Sequence, residues 1–171
     1  MKYNYLFDGR KISRLGFGLY KGENSKKGDD LMLKNIIFGL SKGLNVIDTA
    51  QRYRNGRSEK VIKKILDIYK KRENLILITK AGLIPDYIKK KKILQKLKIK
   101  KSNCLLENDF CIDPKYISWS VDNSLKKMNT KYIDFYLLHN PELSLMLKGG
   151  YKKIISALKV LEEKKKQKKI R

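Results

Sequence analysis

Apolar residues in this chain recur at two spacings that take turns. Short, nearly continuous apolar runs occupy positions 15–19, 44–48, 75–79 and 132–138. Between them, apolar residues return every third or fourth position: Leu33, Ile36, Ile37 and Leu40; Val61, Ile62, Ile65, Leu66 and Ile68; Trp119, Val121 and Leu125; Ile154, Ile155, Leu158 and Leu161. Short runs of the first kind suit strands, and the second spacing is that of one helix face. Strand and helix alternating in this way predict a parallel sheet with helices outside it. The wholly apolar run 75–79 suits a strand covered on both faces. Ahead of these units, 3–13 reads as a hairpin turning at Asp8-Gly9, with Tyr5, Phe7 and Ile12 on its flanks.

Local signals place the boundaries. Asp113-Pro114 should open a helix that runs to about Met128, with Asn129 as a left-handed stop. Gly43 should end the helix over 31–40, and Ser58 should cap the helix over 59–69. Segment 22–30 reads as a polar loop, and 84–101, rich in Lys and Ile, as a helix with a wet face or an irregular excursion. A final helix is expected from 151 to about 168. The order is an N-terminal β-hairpin plus four β-α units in one α/β domain over 1–171, or half of an eight-fold (β/α)8 TIM barrel. An open doubly wound sheet is the alternative. Leu15-Gly16-Phe17-Gly18 has two glycines at dinucleotide-fingerprint spacing, but no third glycine opens a helix.

Hydrophobic residues make up 42 % of the 171, enough for a real core. No apolar run approaches the ~18 residues of a membrane span. The opening Met1-Lys2-Tyr3-Asn4-Tyr5-Leu6 lacks the apolar stretch of a secretory signal, so a cytoplasmic location is expected. Cys104 and Cys111 are expected to be two ordinary thiols, with no metal site. The net charge of +24 invites a nucleic-acid partner, but of the 41 basic residues seven are Arg and 34 are Lys. Phosphate and base-edge recognition favours the planar fork of Arg. Segment 89–101 also lacks interleaved aromatics for base stacking. The expectation is a solvated surface without a specific nucleic-acid site, binding polyanions only at low salt.

Candidate chemistry lies where the strands end. Asp48 closes the second run, Lys80 follows the third, and His139, the only histidine, follows the fourth. In an α/β barrel the C-terminal strand ends share one mouth, so an acid, an amine and an imidazole would face each other there, with Tyr53 five residues past Asp48. A phenol, with an ordinary pKa of ~10, is a reluctant donor at neutral pH. A neighbouring ammonium favours proton release by stabilising the phenolate. Lys80 can supply that charge, Asp48 can hold Lys80, and His139 can orient a carbonyl oxygen. Taken singly, each is more often a cap, a solvated amine or a structural histidine, and the run of Arg52, Arg54 and Arg57 around Tyr53 alone suggests an exposed loop; three consecutive strands ending in ionisable groups is the informative coincidence.

These segments carry a resemblance. Gly43-Leu44-Asn45-Val46-Ile47-Asp48-Thr49-Ala50-Gln51-Arg52-Tyr53, then Asn55-Gly56-Arg57-Ser58-Glu59, Thr79-Lys80-Ala81-Gly82, and Tyr132 through Glu142 together resemble the aldo-keto reductase family. The resemblance implies NADPH-dependent reduction of a small-molecule aldehyde or ketone on a TIM barrel. Tyr53 falls on the family's proton donor, Asp48 and Lys80 on the pair that tunes it, and His139 on the substrate-orienting residue. Gly18, Leu19 and Tyr20, with Asp48, fall on positions near the nicotinamide. The resemblance also implies that the second half of a barrel, with most cofactor contacts, lies beyond 168–171, read here as the close of the fourth helix. The first and fourth strands would then be open edges. Weak NADPH binding and activity, pairing with a second half-barrel, self-association, or survival as an inactive or basic binding protein are the expected consequences.

Overall fold

The computed structural model describes residues 1–171. β1 (Tyr3–Tyr5) and β2 (Lys11–Ser13) form the expected antiparallel hairpin, with Tyr3 opposite Ser13. Its turn needs Gly9, which sits at φ 81°, a conformation that costs glycine little. Then follow β3 (Gly16–Gly18), α1 (Lys26–Ser41), β4 (Val46–Asp48), α2 (Arg57–Tyr69) and β5 (Ile76–Ala81). The excursion over 84–101 is partly helical: α3 (Lys90–Lys96) precedes a small hairpin of β6 (Cys104–Leu105) and β7 (Phe110–Cys111). The chain continues with α4 (Pro114–Met128), β8 (Phe135–Leu138) and α5 (Gly150–Lys166).

β3, β4, β5 and β8 form one parallel sheet in that order. Gly18 lies opposite Asp48, Asp48 opposite Ile78, and Lys80 opposite Leu137. The sheet is open, so the architecture is a partial barrel. Ile47, Leu77 and Ala81 pack with Val61, Ile62 and Ile65 of α2 and Val121 of α4 in a single core. The opposite face follows the pleat alternation through Val46, Asp48, Ile78, Lys80, Phe135 and Leu137. It stays partly open, and Leu137 is 44 % exposed.

Capping follows the sequence at α4. Asp113 Oδ1 accepts from the Lys115 amide at 2.9 Å, and Asn129 stops the helix at φ 54°. Five expectations need correction. Segment 22–30 is loop only as far as Ser25, whose hydroxyl accepts from the Gly28 amide at 3.1 Å and caps α1. Ser58 does not cap α2; Gly56 stands there at φ 80°, and the buried Ser58 hydroxyl instead donates to Leu19 O at 2.8 Å. Residues 168–171 do not simply close the last helix: Ile170 bridges Ile133 in parallel, so the β8 side of the sheet is not a bare edge. The Arg52–Arg57 stretch does not read as an exposed loop, because Arg54 is 8 % exposed. Cys104 and Cys111 are not separate thiols. They stand opposite each other across β6 and β7 with Cα atoms 4.3 Å apart, and their sulfurs are bonded. A register of facing non-hydrogen-bonded residues brings side chains that close.

The N-terminal end of the sheet is closed by polar contacts. Asn45 accepts from the Ser13 amide at 2.8 Å and donates to Lys11 O at 2.9 Å, which docks the hairpin. Beside it the Asp134 carboxylate is wholly buried. Arg10 pairs with one oxygen, while Arg72 Nη2 at 2.8 Å and the Leu77 amide at 2.9 Å donate to the other.

Candidate active site

At the other end of the same sheet, the pleat aims Asp48 and Lys80 off the open face from neighbouring strands. Lys80 Nζ donates to Asp48 Oδ1 at 2.7 Å and Oδ2 at 2.8 Å. It also donates to Thr49 O at 2.9 Å and to the Tyr53 phenol oxygen at 3.2 Å. Lys80 is 14 % and Asp48 37 % exposed at the side chain, so the pair is partly shielded while remaining in reach of solvent. Because Lys80 donates to the phenol oxygen, the hydroxyl proton of Tyr53 is left free to donate elsewhere.

His139 completes the group. Its ring meets that of Tyr53 edge-on, with centroids 5.6 Å apart. Its amide donates to Ala81 O at 2.8 Å, which extends the β5–β8 ladder by one residue past the strand. Gly82 makes this approach possible: its φ is 141°, and a Cβ there would lie 2.5 Å from His139 O. Burial, and then the charge of Lys80, push the His139 imidazole below its ordinary value of 6.5. The ring is therefore neutral at pH 7 and can give one N–H bond. Its Nδ1 is buried and unpartnered.

The three residues predicted at the strand ends and Tyr53 are thus brought together. Of the four predicted near a cofactor, Asp48 is part of this group, and Tyr20 and Gly18 face the mouth. The Tyr20 ring is 60 % exposed and lies 5.0 Å from that of Tyr53. A Cβ on Gly18 would meet nothing within 4 Å. Leu19 turns its side chain into the core at 1 % exposure, leaving only backbone near the mouth. A cavity of about 440 Å³ lies at the far end of the sheet under the hairpin, lined by Tyr3, Arg10, Asn45 and Ile76, and holds none of the four.

Sequence reasoning missed two parts of this site. One is the Thr49 carbonyl, a backbone acceptor that no side-chain pattern announces. The other is the support behind Tyr53. Gln51 donates to Ser124 Oγ at 2.8 Å; Ser124 donates at 2.7 Å to Glu59, which is wholly buried and pairs with Lys127 at 3.1 Å. Arg52 bonds Ile84 O at 2.7 Å and Asp109 at 3.0 Å, tying the Tyr53 loop to the excursion that holds the cysteine pair. The juxtaposition of Arg52, Arg54 and Arg57 was the available signal.

Comparison with known proteins identifies the family and the fold. The profile of the Aldo/keto reductase family matches residues 14–171. The aldo-keto reductase YhdN of Bacillus subtilis is 33 % identical over 146 residues, 83 % of this chain and 39 % of the relative. An aldo-keto reductase of Bacillus halodurans, solved in its holo form, superposes with a TM-score of 0.69 at 25 % identity, covering 99 % of this chain and 48 % of that one. An aldo-keto reductase of Klebsiella pneumoniae in complex with NADPH shares the fold, with a TM-score of 0.64 at 18 % identity over 99 % of this chain and 48 % of that one. This chain therefore spans less than half the length of each of these proteins. No helix is long and apolar enough to cross a membrane.

Proposed function

The chain belongs to the aldo/keto reductase family, and on that premise we propose that its mouth reduces an aldehyde or ketone to an alcohol with NADPH. One observation carries the reading: Lys80, held by Asp48, donates to the Tyr53 oxygen and leaves the Tyr53 proton free beside a neutral His139. A nicotinamide held there would supply the hydride that the carbonyl carbon receives. The open approach over Gly18 and the exposed ring of Tyr20 fit a flat heterocycle at this point, and Gly18, Tyr20 and Asp48 would hold it. NADPH in the Klebsiella relative supports the choice of cofactor.

In this reading His139 donates to the carbonyl oxygen and fixes its angle. Tyr53 gives its proton to that oxygen as negative charge develops, and the Lys80 ammonium stabilises the phenolate left behind. Asp48 keeps Lys80 charged and aimed. A positioned acid of this kind contributes ~10²–10⁴-fold. Holding the reacting carbons about 3–3.5 Å apart matters as much. Residues 1–171 offer one side of the mouth, so weak NADPH binding and slow turnover are expected of them alone, and the dependence on Tyr53 is the diagnostic quantity. The open apolar face around Leu137 also favours self-association or pairing with a second half-barrel, which sedimentation at rising concentration checks.

The test is a fluorescence titration of the purified chain with NADPH, followed by assay on an aldehyde panel. Turnover that Tyr53→Phe abolishes supports the proposal. Turnover that Tyr53→Phe leaves untouched, or none at any cofactor concentration, sinks it for these residues and leaves a basic binding protein as the better reading.

A further inference from the structure

Directly after Tyr53, two residues with side chains hold left-handed backbone: Arg54 at φ 48° and Asn55 at φ 53°. Asparagine tolerates that region; a long side chain is uncommon there. The Arg54 side chain is 2 % exposed. Its Nε and Nη2 donate to Glu23 O at 3.1 and 2.5 Å, and Nη2 also reaches Asp29 Oδ1 at 2.6 Å. The other Asp29 oxygen takes Arg57 Nη2 at 2.6 Å. Burial raises the Asp29 carboxyl, but the bonds and charges of Arg57 and Arg54 outweigh it and hold the group below its ordinary value. One guanidinium thus ties together the first turn of α1, the loop before it and the start of α2. That loop carries Tyr20, whose ring rests against Tyr53.

We propose that Arg54 is a positioning residue: its grip on Asp29 and Glu23 O fixes the Tyr53 hydroxyl against Lys80 and holds Tyr20 beside it. Arg54 touches no reacting atom and acts only through Tyr53 and Tyr20. The inference rests on the reductase reading for its consequence in rate, but the placement of Tyr53 can be measured without any turnover. The alternative is that the clasp merely stabilises the fold by joining two helix ends.

Arg54→Gly separates the two. Glycine adopts φ 48° without cost, and Asp29 keeps Arg57 as partner, so no buried carboxylate is orphaned. The readout is ring-to-ring nuclear Overhauser contact in the full chain, from Tyr53 to Tyr20 and from Tyr53 to His139. Arg54→Gly should lose both contacts while the thermal midpoint stays within a few degrees of wild type. Where turnover is measurable, kcat should fall about 10- to 100-fold, the scale of a misplaced catalytic group, with KM for the carbonyl much less affected. Asp29→Asn, which keeps the Glu23 bonds and removes the charge, should weaken the same contacts. Retained contacts in Arg54→Gly overturn the proposal, as does unfolding of both variants, which would make the clasp purely structural. Contacts missing in the wild type, or turnover indifferent to Tyr53→Phe, would instead refute the reading of the site itself.

Discussion

The two ends of this sheet carry the same chemistry put to opposite uses. At the N-terminal end, Asp134 has no exposed side-chain surface, and both its oxygens are occupied by Arg10, Arg72 and a backbone amide. At the C-terminal end, Asp48 is 37 % exposed, and its partner Lys80 extends a further bond to Tyr53. The saturated cluster has nothing left to offer a ligand. The unsaturated one leaves the Tyr53 proton unclaimed beside a half-buried imidazole whose Nδ1 has no partner. In barrels the second end is the one that hosts chemistry, whereas the first serves stability.

That contrast should show most strongly when each acid is removed. Asp134→Ala removes the buried carboxylate shared by Arg72, 16 % exposed and left with neutral acceptors only, and Arg10, 22 % exposed and still paired with Asp8 at 2.8 Å. Breaking a buried pair typically costs ~3–5 kcal/mol, so urea unfolding should register a loss of that order. A loss below ~1 kcal/mol, the scale of an exposed pair, would erase the distinction between the ends.

Asp48→Asn should show the reverse profile. Its partial exposure confines the stability cost to about 1 kcal/mol or less. The loss of a held, charged Lys80 should lower carbonyl reduction by ~10²-fold, the lower range for general acid help. A variant that unfolds as readily as Asp134→Ala, or turns over normally, breaks the comparison from the other side.

The smallest effect is a pH dependence confined to the mouth. His139 is the only histidine, and burial with Lys80 depresses its folded value below 6.5. As pH falls, the unfolded chain takes up this proton first, so stability is full above 6.5 and declines as pH drops through the folded value. The carboxyls of Asp8, Asp29 and Asp122 are held below 3.8 and lose their contribution only in more acid solution. Thermal midpoints measured from pH 7 to 5 should therefore fall slightly in wild type and less in His139→Gln. Identical slopes would place the imidazole in free solvent.

The chain order already disclosed which groups end the strands. Asp48, Lys80 and His139 follow apolar runs whose register in a parallel sheet is set by burial, and a single-residue slip would reverse every face. Asp113-Pro114 and Asn129 mark their helix because capping acts within a turn and is written locally. Ser58 misleads for the same reason: it has the residue type of a cap, yet a carbonyl 39 residues away claims its hydroxyl. The cysteine pair stayed hidden because its loop gives no sign that two strands of two residues will face each other.

What the sequence determined by itself was the alternation of elements, and with it the convergence of an acid, an amine, a phenol and an imidazole at one sheet end. The tertiary structure alone decided which polar groups are spent and which remain available. Arg54 sits in a run that reads as solvated, yet Glu23 O and Asp29 enclose it; Asp134 and Asp48 are the same residue at the end or start of similar strands, and only their neighbours make one inert and the other accessible. The physical reason is that periodicity fixes the direction of a side chain, whereas burial and partner count depend on which distant segments arrive beside it.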